Sequence, residues 1–229
     1  MRGSIGGTWL AVQRIRLRDD EIDDAVDAAR SFMRVTGATA ASWWLSERST
    51  PADLEQRLLE HGLAVVEGDY LIDGMLLTSA PPPGPPEIEA RAVRNAEEFV
   101  AATEVQYEAF DTATSRRRDV AALVDEYELE RQSNVVVFYA AWLDGRLAGG
   151  GRAIFSPRGV LLSGGSTVPW GRGRGVYRAL VRARWDDAVA RGTPALAVQA
   201  GAMSKPILSR LGFETICRFH RLEDVLDET

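Results

Sequence analysis

One stretch of this chain is equipped to hold an anion: Val168-Pro-Trp-Gly-Arg-Gly-Arg-Gly-Val-Tyr-Arg-Ala-Leu180. Its glycines let successive backbone N–H groups turn towards one point without side-chain obstruction. A helix begins just after them, and its N-terminus adds partial positive charge. Arg172 and Arg174 add full charges. The chemistry this suits is pyrophosphate binding. The stretch lacks the Lys-Ser/Thr ending of a P-loop. It also comes late in the chain, after antiparallel strands, which argues against a dinucleotide fingerprint.

Elsewhere reactive side chains are scarce. Cys217 is the one cysteine, and His61 and His220 are the two histidines. That excludes an intramolecular disulfide and a cysteine-based zinc site, and no metal is expected. Cys217 reads as a small buried hydrophobe on a strand. His61, before Gly62, suits a helix end. Arg116, Arg117 and Arg118 read as a solvated interhelical loop able to attract an anionic acceptor. Trp43, Trp44 and Trp142 read as core or interface residues. The formal net charge of -6 sets nucleic-acid binding aside.

The elements that must position the loop follow from periodicity and punctuation. Five prolines in the run 81–86 favour an extended conformation and read as a semi-rigid linker. It divides a smaller α/β half-domain over 1–80 from a full domain over 87–229. The first part reads as strand 9–17, helix 19–34, strand 40–45, helix 52–61 and strand 70–78. In the first helix, Ile22, Ala25, Val26, Ala29, Phe32 and Met33 recur at three- and four-residue steps, and Gly37 supplies the stop. Ser49-Thr50-Pro51 offers a cap for the second. The second part reads as strand 88–93, helices 96–110 and 119–130, and strands 135–143, 146–155 and 160–168. Asp144-Gly145 marks a hairpin turn. The loop and a long helix fill 171–190, followed by strand 195–199, helix 205–210 and strand 214–222. An antiparallel meander followed by a crossover helix gives a mixed, mostly antiparallel sheet flanked by helices, an α/β chain of the α+β kind.

The content of 45% hydrophobic residues is enough for a core. No apolar run approaches the ~20 residues of a membrane span. The opening residues lack the pattern of a secretory signal, so a cytoplasmic setting is expected. Two passages echo each other. Strand 40–45 and Leu58-Leu-Glu-His-Gly-Leu63 repeat the order of strand 195–199 and Leu208-Ser-Arg-Leu-Gly-Phe213.

The segment Arg172-Gly-Arg-Gly175-Val-Tyr177 resembles the Arg/Gln-x-x-Gly-x-Gly/Ala element of the GNAT N-acetyltransferase superfamily, with Tyr177 in place of the last small residue. The strand ending Thr167-Val168, strand 195–199 and the closing Leu211-Gly-Phe213 turn resemble that family in the same order. The likeness covers about 87–223, and the echo makes the N-terminal part resemble a degenerate half of such a fold.

The resemblance implies acyl transfer from acyl-coenzyme A, usually acetyl-CoA, to an amine by direct attack. It implies that two parallel strands splay apart and admit the pantetheine arm as an added strand. Backbone of Ser166, Thr167 and Val168 would hold pantetheine. Donors from Gly173, Arg174, Gly175, Val176 and Tyr177, beside Arg172, would hold the pyrophosphate. A strand amide near Val168 would polarise the thioester carbonyl. Arg178 and Arg182, one turn apart, would reach the ribose phosphate.

Counting back from Phe213, Leu208 and Gly201 stand where the family often has a tyrosine and an asparagine, so no general acid is assigned. Ser204 and Ser209 are substitutes for the acid. Glu104, Glu108 and Asp111 are candidates for the base, read beside the simpler alternative of a solvated helix face. His220, on the last strand, is a candidate relay. The expected acceptor is a small-molecule amine, with no nucleic-acid or membrane partner and a monomeric or homodimeric chain. The alternative is a catalytically inactive coenzyme A-binding or interaction module on the same scaffold.

Overall fold

The computed structural model describes residues 2–3, 9–65 and 71–226. In chain order the strands and helices are β1 (Arg2–Gly3), β2 (Trp9–Val12), α1 (Ile22–Thr36), β3 (Ala40–Ser46), α2 (Leu54–Glu60), β4 (Ala64–Val65), β5 (Leu71–Leu77), β6 (Ile88–Ala92), α3 (Ala96–Ala109), α4 (Val120–Ser133), β7 (Val136–Leu143), β8 (Arg146–Ser156), β9 (Gly159–Thr167), α5 (Val176–Ala190), β10 (Leu196–Ala200), α6 (Lys205–Arg210) and β11 (Glu214–Val225). They form two compact units. The first takes Met1–Gly74, Ala200–Pro206 and Thr215–Thr229; the second takes Met75–Gln199 and Ile207–Glu214.

In the second unit β6, β7, β8 and β9 pair antiparallel in turn, and β10 joins β9 in parallel. Asp144 and Gly145 both take positive φ, 53° and 75°, as a two-residue hairpin with a right-handed twist requires. Neighbouring residues of β7 show how the helices divide. Phe138 packs with Phe99 of α3 and Tyr127 of α4, whereas the Tyr139 hydroxyl donates to Asp187 of α5. Successive strand side chains point to opposite faces, so α3 and α4 cover one face and α5 the other. Arg152 of β8 lies between Glu126 (3.2 Å) and Glu130 (2.8 Å) and over the Phe99 and Phe138 rings, which fastens α4 to the sheet.

The proline run lies along α5. Arg182 Nη1 donates to the Pro81 carbonyl at 3.2 Å. A Cβ on Gly84 would come 2.8 Å from the Ala179 Cβ, and one on Gly175 would come 2.5 Å from Pro85 Cγ. Three small residues thus allow the extended backbone to lie directly on the helix.

In the first unit β2 pairs in parallel with β3, β3 pairs antiparallel with β11, and β4 also joins β11. Ala41, Trp43 and Leu45 enter a core with Ile22, Val26, Ala29 and Met33 of α1, Leu54 and Leu58 of α2, and Leu222. The alternate Trp44 joins Ala11, Ile72 and Phe219 on the other face. Asp224, fully buried, is held by Arg30 Nη2 at 2.9 Å.

Two sequence expectations need correction. Strand 9–17 is shorter, because β2 ends at Val12 and only a bridge from Arg16 to Thr50 continues the pairing. The helix after Pro51 starts at Leu54 with Asp53 as N-cap, and no side chain caps it. Within the stretch 171–190 read as loop and helix, α5 begins at Val176, after a separate 3-10 turn over Pro169–Gly171.

Candidate functional site

β9 and β10 pair at Val160–Leu196, Leu161–Ala197 and Leu162–Val198, and there the pairing stops. β9 continues to Thr167 alone on that side. A bulge accounts for the departure: Arg152 of β8 faces Ser163, but Gly150 faces Ser166, so Gly164 and Gly165 share one partner position. Gly164 takes φ 61°, which bends the strand as a glycine bulge does. Gln106, buried on α3, donates from Nε2 to the Gly164 carbonyl at 2.5 Å and so fastens the bulge.

The Val168 amide donates to the Ala148 carbonyl at 3.0 Å. Its proton is thus already used within the sheet. Antiparallel ladders alternate, so Ser166 faces β8 as well and Thr167 turns its N–H towards the unpaired edge. Ser166 also spends its hydroxyl on the Gly150 carbonyl, at 3.2 Å.

Beyond Val168 the glycine- and arginine-rich loop, the candidate cradle, leads into α5. Gly173 and Gly175 take φ of 74° and 89°, a conformation that side chains resist. The first helical bond of α5 runs from the Ala179 amide to the Gly175 carbonyl. The amides of residues 173–178 find no acceptor among the described residues, which leaves a run of unpaired donors at a helix start. Four arginines surround it in different ways. Arg172 reaches across, donating to the carbonyls of Thr167 (3.3 Å) and Ala109 (3.2 Å), and thereby ties the end of α3 to the cradle. Arg174 pairs with Asp144 of the β7–β8 turn at 3.1 Å, an exposed contact. Arg178 keeps a buried Nε without a partner among the described residues. Arg182 is occupied by Asp186 and the Pro81 carbonyl, which argues against its expected role on a ribose phosphate. Trp170 carries the Arg146 guanidinium 4.4 Å from its ring centre.

The base candidates sit on α3 and past its end. Gln106 looks at the bulge, and Glu104 and Glu108 stand two residues either side of it, about 200° round the helix. Both are exposed, and Glu104 is 3.6 Å from Arg117. Neither points at the opened strand. Asp111 is exposed in the turn after α3, with φ 50°. Ser204 bonds the Gly201 carbonyl at 3.3 Å, Ser209 is exposed, and Leu208 is fully buried as packing. His220 belongs to the first unit, where its Nδ1 lies 2.6 Å from Glu55. The cradle and the opened strand therefore come together with Gln106, which sequence reasoning missed. Its signal was a polar residue closing the buried stripe Phe99, Ala102, Thr103, Gln106. Among the described residues no acidic, histidine or cysteine cluster could hold a metal, and no helix is long and apolar enough to cross a membrane.

No protein-family profile matches the chain, and no curated protein does. Solved structures do match. A GCN5-related N-acetyltransferase from Kribbella flavida covers 92% of this chain and 77% of its own at 20% identity, with a TM-score of 0.66. A second, from Sphaerobacter thermophilus, covers 91% and 69% at 18% identity, with a TM-score of 0.68. A tandem GNAT protein from the clavulanic acid biosynthesis pathway covers 93% and 72% at 14% identity, with a TM-score of 0.65. The chain has the GNAT fold: a mixed, mostly antiparallel sheet flanked by helices.

Proposed function

We propose that this chain is an N-acyltransferase that moves an acetyl or short acyl group from acyl-coenzyme A to a small-molecule amine. One observation carries the reading: the parallel pair β9–β10 opens immediately before a run of unpaired amides at the start of α5. An extended amide chain ending in a pyrophosphate fits both parts at once. The amides of 173–178 suit the pyrophosphate, with Arg172 and Arg174 beside them, and Arg178 suits the ribose phosphate. The unpaired edge of residues 163–167 suits the pantetheine arm, and its outward amides suit the thioester carbonyl. Acyl-coenzyme A supplies an activated thioester that an amine attacks directly. The protein's part is to align that carbonyl and exclude water.

A second reading, a coenzyme-binding module without turnover, is favoured by the buried Leu208 and by carboxylates that face away from the opened strand. Calorimetric titration with acetyl-CoA, followed by free-thiol detection over a panel of amines, separates the two. We expect one site per chain and thiol release with at least one amine. Binding without release across the panel would favour the module, and absence of binding would overturn both.

A further inference from the structure

Arg184 of α5 has no part in the site described above, and it is fully buried. Its Nε donates to the Leu180 carbonyl at 2.9 Å and its Nη1 to the Arg152 carbonyl at 3.3 Å. Its Nη2, also buried, has no acceptor among the described residues. Asp187, three residues on, is engaged by the Tyr139 hydroxyl and by Arg191 at 3.2 Å. The ionisable groups that act on Arg184 are two phenols, Tyr177 and Tyr139, and burial lowers the guanidinium's pKa from its ordinary value. A charge taken out of water is costly unless an opposite charge and full hydrogen bonding go with it.

Two glycines define the place beside it. A Cβ on Gly151 of β8 would come 3.0 Å from the Gly165 Cα of β9 and 3.1 Å from Arg184 Nη1. A Cβ on Gly165 would come 2.6 Å from Cε2 of the Tyr177 ring and 3.4 Å from its hydroxyl oxygen. Tyr177 lies seven residues before Arg184, two turns along the same face of α5. The guanidinium and the phenol thus stand over adjacent cross-strand positions where the sheet carries no side chain. The Tyr177 hydroxyl makes no hydrogen bond to the described residues. It and Arg184 Nη2 are two unmatched donors, one of them charged. Tyr139, the other phenol here, has its proton committed to Asp187.

We propose that a monovalent anion of halide size binds between Arg184 Nη2 and the Tyr177 hydroxyl, and that chloride takes this place in salt solution. One negative charge balances one guanidinium and accepts from both donors at once. The site stands apart from the acyltransferase reading and does not depend on it. Its position gives it a consequence for the sheet. Gly165 directly follows the left-handed Gly164, in the bulge where β9 has left β10. Gln106 fastens that bulge from the α3 face. An anion held by two side chains of α5 braces it from the opposite face.

The test uses the full chain at constant pH and ionic strength, with sodium chloride exchanged for sodium gluconate. An ion bound only by the folded state raises the unfolding midpoint by mass action. We expect about 0.2 M chloride to raise the parent's midpoint by about 3 °C over gluconate. The rise should fall to half or less in Tyr177→Phe, which keeps the ring and loses one donor, and should vanish in Arg184→Met. Should Arg184→Met not fold, the parent crystallised from sodium bromide reads the site directly. An anomalous scattering peak is expected within hydrogen-bonding reach of Arg184 Nη2. Equal midpoints of the parent in the two salts, a rise that Tyr177→Phe retains in full, or a water in place of bromide would each overturn the proposal.

Discussion

Residues 9–60 and 159–210 are assembled from the same parts: a strand, a fifteen-residue helix, a parallel strand and a short helix. Yet one of these β–α–β units is closed and the other open. β2 pairs with β3 along its whole length, and the Arg16–Thr50 bridge continues the contact. β9 leaves β10 after Leu162. The stretches before the two helices differ as sharply. Ahead of α1 stand Asp19, Asp20 and Glu21, and the Glu21 carboxylate accepts from the Arg18 amide at 2.8 Å. Asp23 and Asp24 occupy the first turn. Ahead of α5 stand Arg172, Gly173, Arg174 and Gly175, and the amides stay unmatched. Topology alone therefore makes no anion site. Carboxylates place negative charge at one helix start, while glycines and arginines at the other leave it positive, as the proposed coenzyme site requires.

The largest effect is expected from removing the closed unit's first part. A chain starting near Glu87 strips β11 of the β3 register from Phe219–Ser46 to Val225–Ala40 and of β4, exposing Leu222. We expect such a chain to be insoluble or to unfold at much lower temperature. Thermal unfolding beside the full chain decides this, and a soluble form with an unchanged midpoint would mean that the closed unit is dispensable.

Next comes the cradle. Proline fixes φ near −65°, and Gly175 needs 89° with Pro85 against it. Gly175→Pro should weaken acetyl-CoA binding at least about a hundredfold, or ~3 kcal/mol, by calorimetry. Asp20→Ala, at the corresponding place before α1, should leave the affinity within about twofold. A comparable loss from Asp20→Ala would mean that the two helix starts do not differ in the way proposed.

Much of this contrast was legible in the sequence. The glycine spacing pointed to the left-handed turns at Gly173 and Gly175, the hairpin dipeptide to the β7–β8 turn, and the Leu-Gly-Phe echo to the repeated parts. What was not legible depended on partners distant in the chain. Nothing in the local sequence says that the Val168 proton goes to Ala148, or that Arg172 spends its donors on Thr167 and Ala109. The prolines announced an extended backbone, but the fit of Gly84 on Ala179 requires the helix to be in place. Thr50-Pro51 looked like a helix start, and the true one waits for Asp53, because the first turn forms only where Leu54 and Leu58 can enter the core. Tyr177 looked like a tolerated departure from a small residue; its fit against Gly165 shows only once β9 and α5 are folded together.

The smallest effect should come from charge at the closed helix start. Asp24 is exposed in the first turn of α1, where its carboxylate faces the positive end of the helix dipole. Asp24→Asn removes the charge and keeps the shape. The expected cost is about 0.5 kcal/mol of stability, a shift of ~1–2 °C in the unfolding midpoint for a chain of this size. Because the interaction is solvent-exposed, the difference should shrink as salt rises towards ~1 M, where screening acts within about 3 Å. Acetyl-CoA affinity should not change if, as proposed, the anion is held at the start of α5. A midpoint difference that persisted undiminished at high salt would assign Asp24 a packing or hydrogen-bonding role. The acidic start of α1 would then no longer be the electrostatic counterpart of the cradle.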